Sequence, residues 1–255
     1  MNNLGVFDAL ISKCSAQQAG YLPSDPYLST MVTRVQCDQA KSTRKASPMM
    51  NRGYFARVEC INELTRQCVN EMLLEHSKAE VDDQMEVAEK ETNDEMAEAQ
   101  YQIVNLGCGF DTSSLLKIKE ETSEEHCFRV FEVDHTTVVT QKVGILSTET
   151  DLTITKLGEN DYSVRVEGLP GSSSLRLLAC DLNNTDEVRG SLIAAGLDFG
   201  IPVLILTECV MVYMDKESCQ KLCRSLWQQC RGPSAWISYD MVGVQDRFGQ
   251  MMLKN

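Results

Sequence analysis

Five short apolar runs recur after residue 100: Tyr101–Leu106 (YQIVNL), Phe128–Val133 (FRVFEV), Leu175–Cys180 (LRLLAC), Pro202–Leu206 (PVLIL) and Trp236–Tyr239 (WISY). Runs that are apolar on nearly every residue suit strands covered on both faces, which is what a parallel sheet requires. The stretches between them, Asp111–Glu121, Thr136–Leu146, Thr185–Ala195 and Lys216–Gln229, are each long enough for a crossover helix. Thr153–Glu167 breaks the rhythm, and its alternating Tyr162, Val164 and Val166 predict a hairpin arm. Before Tyr101 the pattern is helical, most clearly over Gly53–Leu74. Strands alternating with helices define an α/β domain.

A chain of 255 residues with 43% hydrophobic side chains can bury a substantial core, as one large domain or two small ones. Its formal net charge of −13 would repel a phosphate backbone, which excludes nucleic acid as the expected partner. That charge is unevenly spread, because Glu75–Gln100 carries ten acids against Lys78 and Lys90. Residues 75–100 therefore read as an insert, a solvated helix or a disordered stretch, with an acidic docking arm as the functional alternative. The expected division is a helical N-terminal segment or lid over residues 1–74, the insert, and a core over residues 101–255. Eleven cysteines without a basic, apolar leader in Met1–Gly20 point to reduced thiols in the cytoplasm. The most apolar stretch, Ile201–Met214, is interrupted by Thr207 and Glu208 before it reaches the length of a membrane span. The reading is of a soluble protein with no membrane partner.

The first apolar run leads straight into Asn105-Leu106-Gly107-Cys108-Gly109-Phe110-Asp111 and then a helix. A tight strand-to-helix turn needs residues that tolerate positive φ, and a position without a side chain lets a ligand reach the backbone beside a helix N-terminus. Thr112 stands where a dinucleotide fingerprint needs its third glycine, so the turn does not read as a nicotinamide site. Asp134 closes the second run, Asp181 the third and Glu208 the fourth. Single strand-end acids usually cap turns, but ligands of open α/β sheets bind outside the carboxyl ends of strands, where these acids converge. Acids for a ribose and beside an adenine, with glycine along the cofactor chain, describe an S-adenosylmethionine site better than a phosphate site.

Other chemistries find no support. His76, His126 and His135 are the only histidines, no Cys-x-x-Cys pair occurs, and no Gly-x-Ser-x-Gly elbow is present. Cys219, Cys223 and Cys230 at helical or near-helical spacing read as a buried apolar face.

Asn51-Arg52-Gly53-Tyr54-Phe55-Ala56-Arg57, NLGCGFDT, FEVD, CDL, TECVMVYM and Asp246-Arg247-Phe248-Gly249-Gln250-Met251 together resemble the leucine carboxyl methyltransferases. The resemblance runs from about Lys13 to the end of the chain. It implies a class I S-adenosylmethionine-dependent methyltransferase fold, Rossmann-like, that methylates the C-terminal leucine of the phosphatase 2A catalytic subunit. It places Gly107 beside the cofactor, Asp134 on its ribose, Asp181 and Leu182 around its adenine, and Glu208 nearby. Arg57 is then the residue that holds the cofactor's carboxylate, and Lys13 a second cofactor contact. On its own Lys13 reads equally as a solvated surface lysine, whereas the surface ion pair that is the alternative for Arg57 is disfavoured by the motif around it. Tyr213 resembles a tyrosine lining the substrate side, with a packed core tyrosine as the other reading.

The implied reaction needs no base, since a terminal carboxyl with a pKa of roughly 3.3 to 3.7 is already ionised at neutral pH. Two departures accompany the likeness. The acidic insert occupies what is usually a short connection, and the family continues past the counterpart of Asn255 through further helices and the last antiparallel strands. Competing readings are a non-catalytic paralogue that binds cofactor or phosphatase, and the related branch that modifies a tRNA wybutosine base.

Overall fold

The computed structural model describes residues 4–39, 46–83, 99–120, 127–169 and 173–240. Three helices come first: α1 (Leu4–Gln18), α2 (Pro26–Gln39) and α3 (Pro48–Asp83). There follow β1 (Tyr101–Leu106), α4 (Ser113–Glu120), β2 (Phe128–Asp134), α5 (Thr136–Leu146), β3 (Leu152–Gly158), β4 (Asp161–Val166) and β5 (Ser174–Ala179). The described chain closes with α6 (Thr185–Ala194), β6 (Val203–Glu208), α7 (Lys216–Trp227) and β7 (Ser234–Tyr239).

All seven strands form one sheet in the order β3-β4-β5-β2-β1-β6-β7. The five runs read from the sequence are its parallel part, β5-β2-β1-β6-β7. The expected hairpin arm is β3-β4, which joins antiparallel to β5. In the parallel part the chain steps outward from β1 through β2 to β5, then crosses back over β1 to β6 and β7. This is the doubly wound arrangement, and its order reverses between β1 and β6, where such sheets bind ligands. The Rossmann-like α/β reading is thus the observed architecture.

Strand residues alternate between two cores, as the pleat requires. Ile103, Phe128, Val130, Leu175, Leu177 and Leu204 pack on one face with α1, α2, α3, α4 and α5. Val104, Leu106, Phe131, Val133, Leu178, Val203 and Ile205 pack on the other with α6 and α7. The N-terminal helices therefore form part of the main core: Tyr27, Leu28 and Met31 of α2 are each no more than 1% exposed.

Most element ends shift by a residue or two from the sequence expectation, and two of the differences bear on the site. The helix expected over Gly53–Leu74 runs from Pro48 to Asp83, because Glu, Lys and Ala beyond Leu74 favour helix even where little apolar surface remains to bury. β6 extends through Glu208 where the run ended at Leu206, since its pairing with β7 continues to Glu208 opposite Tyr239. Most of the acidic stretch and the Asp246–Met251 motif lie outside the described residues. Among the described residues no helix is long and apolar enough to cross a membrane, and ten cysteines are free thiols.

Thr112, the residue that displaces a third glycine, links the two halves. Its hydroxyl donates to Asp25 Oδ2 at 2.6 Å, while Asp25 Oδ1 accepts the Leu28 N–H at 3.1 Å and so caps α2. Asp25 is buried, so both bonds exist away from water. We expect Asp25→Ala to lower the unfolding free energy by about 2 to 3 kcal/mol through loss of a cap and a buried hydrogen bond. Urea denaturation checks this, and an unchanged midpoint would show that α2 is held without the acid.

Candidate cofactor site at the carboxyl edge of the sheet

Because β5, β2, β1, β6 and β7 run parallel, their carboxyl ends share one edge of the sheet. Gly107, Asp134, Asp181 and Glu208 stand at or just past four of those ends, with Tyr239 at the fifth. The turn after β1 is built as its glycines require. Gly107 has φ +70° and Gly109 φ +53°, both in the left-handed region that side chains disfavour. A Cβ on Gly107 would also lie 2.4 Å from Val210 Cγ2, because the turn after β6 packs flush against it.

The turn is pinned to the end of β2. Gly107 donates its N–H to Val133 O at 2.7 Å, and Gly109 donates to Asp134 Oδ2 at 2.7 Å. The other oxygen, Asp134 Oδ1, accepts the His135 N–H at 2.7 Å. Burial pushes the Asp134 carboxyl above the usual carboxylate range, against the pull of those two N–H groups. Each oxygen of this half-buried carboxylate thus carries one N–H and keeps a second lone pair for a ligand.

Two cations reach this edge from the N-terminal helices. Lys13 of α1 makes an ion pair with Asp111, whose second oxygen accepts from the Ser113 hydroxyl and, at 3.3 Å, from its N–H. Burial opposes both charges of the pair, but mutual attraction prevails: Lys13 is raised, and Asp111 is held below the carboxylate range chiefly by Lys13. Arg57 of α3 donates from Nε to Glu208 Oε1, and its guanidinium lies 5.4 Å from the ring centres of both Tyr54 and Tyr239. Burial again opposes the charge, and Glu208 outweighs it. Both cations therefore answer acids at this edge, Asp111 of the turn and Glu208 of the strand end, rather than solvent.

The remaining expected residues sit more loosely. Asp181 is exposed and makes local contacts, its Oδ1 accepting from the N–H and side-chain amide of Asn183 at 3.0 Å each. Leu182 packs part-buried against the core on the α6–α7 face. Tyr213 lies in a 3-10 turn, Met211–Tyr213, and is 57% exposed, which removes the packed-core reading of it. Cys209, between Glu208 and that turn, takes φ +54° and donates its N–H to Tyr239 O at 2.6 Å, which redirects the chain sharply at the end of β6.

Sequence reasoning passed over Asp111 as a partner, Tyr54 and Tyr239 as the walls around Arg57, and a buried pair behind the turn. Lys142 Nζ donates to Glu132 Oε2 at 2.7 Å and to Asp111 O at 2.5 Å, with the pair's side chains 0% and 1% exposed. A signal was available: Glu132 interrupts an apolar strand, and Lys142 a largely apolar helix ten residues on, and buried charges need partners.

A doubly wound α/β sheet with a glycine turn and strand-end acids at its switch point belongs to the class that binds nucleotide-type ligands there. The family model described as leucine carboxyl methyltransferase matches residues 78–227, and this chain belongs to that family. It is 28% identical over 251 residues to leucine carboxyl methyltransferase 1 of Rattus norvegicus, and 29% identical over 252 residues to the Bos taurus protein of that name. Each match takes in 97% of this chain and 64% of the relative. The chain thus spans a little under two thirds of the length of those relatives. It is also 28% identical over 250 residues to Homo sapiens tRNA wybutosine-synthesizing protein 4, covering 96% of this chain and 31% of that one.

Two outcomes follow from this geometry. Gly107→Ala should destabilise by about 2 to 4 kcal/mol, combining left-handed strain with overpacking against Val210. Val210→Ala should recover only the packing part, so a double-mutant cycle read by urea denaturation gives a clear coupling between the two positions. The Lys13–Asp111 pair sets a pH dependence. Asp111 titrates lower folded than unfolded, so its stabilisation is complete above the unfolded carboxyl pKa of about 3.9 and fades as acid protonates the folded group. The stability gap between wild type and Asp111→Asn should therefore be constant from about pH 5 to 7 and shrink below about pH 4. A gap that does not narrow in acid would mean the pair contributes nothing.

Proposed function

We propose that the site binds S-adenosylmethionine and serves methylation of a C-terminal leucine carboxylate, that of the protein phosphatase 2A catalytic subunit. One observation carries the reading: a glycine turn, a ribose-type acid and an arginine backed by an acid meet at the switch point of the sheet. Family membership supplies the reaction class.

The donor set fits the cofactor. Asp134 retains lone pairs on both oxygens, the number a ribose diol requires. Gly107 presents bare backbone, and Asp181 with Leu182 borders the next strand end, where an adenine would lie. Arg57 is engaged by Glu208 through Nε alone among the described residues, which leaves its outer nitrogens for the cofactor's carboxylate. Lys13 stands by on Asp111 as a second cation. Strand-end acids suit a ligand that carries a cation and no phosphate, and Thr112 in place of a third glycine disfavours a dinucleotide. When bound, the cofactor supplies an electrophilic methyl group.

What the chain itself must do is modest. The accepting carboxylate is ionised at neutral pH, so no residue has to remove a proton. The task is to hold one of its oxygens in position and exclude water. The exposed Val212 and Tyr213, just beyond Glu208, offer an apolar rim of the kind a leucine side chain favours.

Calorimetric titration with S-adenosylmethionine followed by labelled-methyl transfer to phosphatase-tail peptides tests this. Transfer should require a free C-terminal leucine, vanish when that end is amidated, and hold a flat rate between about pH 6.5 and 8. Absence of cofactor binding would overturn the reading. Binding without transfer to the free-leucine peptide would instead favour a non-catalytic binding role.

A further inference from the structure

We propose that Lys142 is a positioning residue for the cofactor turn: its ammonium, which also pairs with Glu132, fixes the Asp111 carbonyl by its own hydrogen bond and so the course of residues 107–111. The proposal rests on the cofactor reading above for its meaning, and on packing alone for its geometry.

The turn is held at both ends by different means. Its start hangs on β2 through the Gly107 and Gly109 N–H groups. Its far end is a carbonyl, Asp111 O, which accepts from Lys142 at 2.5 Å. Lys142 is the one buried basic side chain among the described residues. It lies on α5, the helix that begins immediately after Asp134 and His135, so the ribose-type acid and the clamp on the turn share one continuous segment. Glu132 is two residues before Asp134 on β2 and faces the same core as α5. Movement of the turn relative to Asp134 is thereby opposed from below by a group that water does not reach.

Stability is a poor explanation for such a pair. Buried ion pairs are commonly no better than well-packed apolar side chains of similar volume. Here Glu132 Oε1 is buried without a hydrogen-bond partner among the described residues, so the carboxylate is only half satisfied. An apolar pair would avoid that cost, but it cannot hold a backbone carbonyl. The retained charge is accounted for by the contact to Asp111 O.

The experiment compares two variants with wild type: the apolar replacement Glu132→Leu/Lys142→Met, and Glu132→Gln, which keeps the lysine and its carbonyl bond. Three quantities are read: thermal midpoint, amide hydrogen exchange at residues 107–111 without ligand, and calorimetric affinity for S-adenosylhomocysteine. The double variant should melt at or above wild type, yet exchange faster in the turn and bind about tenfold or more weakly, the loss of one charge-assisted hydrogen bond. Glu132→Gln should melt lower while its turn exchange and affinity stay near wild type. A double variant with wild-type exchange overturns the proposal whatever ligand the site takes. So does a loss of affinity in Glu132→Gln that simply follows its loss of stability, which covers the case of a double variant that fails to fold. Wild-type protein that ignores S-adenosylhomocysteine while the exchange differences hold would sink the cofactor reading and leave the positioning role standing.

Discussion

The backbone between β1 and α4 must turn sharply through two left-handed residues, and Asp134, Asp111 and Lys13 take their places from how that turn is secured. Val133 O and the Asp134 carboxylate receive its first N–H groups, Val210 closes its flank, and Asp111 ends it under the hold of Lys13 and Lys142. Left-handed backbone is costly for any residue but glycine, and a carbonyl or carboxylate out of water must find a donor. Satisfying both demands at once draws β2, α5, α1 and the β6 turn towards the same few residues.

The N-terminal helices gain their role from the same arrangement. α1 and α3 deliver Lys13 and Arg57 to acids at the far end of the glycine turn and at the end of β6, while Asp25 ties the start of α2 to Thr112. Each contact joins residues far apart in the chain, and each is partly or fully withheld from water. The helices pack into the main core through Tyr27, Leu28, Met31 and Ile61, so the cations sit on supported elements. Arg57 between Tyr54 and Tyr239 is the best supported, since two rings and a carboxylate limit the guanidinium on three sides.

Competition is built into this edge. Lys13 and Arg57 already answer acids, Asp111 of the turn and Glu208 at the end of β6, so the charge of each is balanced by a partner. Such balance keeps Lys13 and Arg57 charged despite burial, and it preserves their orientation before any ligand arrives.

Much of the fold was legible without coordinates. Short apolar runs bounded by turn residues read as strands, so all five, the hairpin arm and the four crossover helices followed from pattern, with ends displaced by a residue or two, whereas the place of β7 at the edge of the described sheet did not. The glycine turn and its strand-end acids were legible because turn chemistry and strand ends are local properties. Pairing was not. That Arg57 answers Glu208, that Lys13 answers Asp111, and that Glu132 and Lys142 meet behind the turn depend on which elements lie side by side. Asp181 shows the converse: its position past a strand end was correctly read, yet its contacts are those of an ordinary turn. Periodicity and turn residues are written in short stretches of chain and survive without a fold. Long-range ion pairs exist only once the sheet has brought their partners within a few ångströms and removed the water between them.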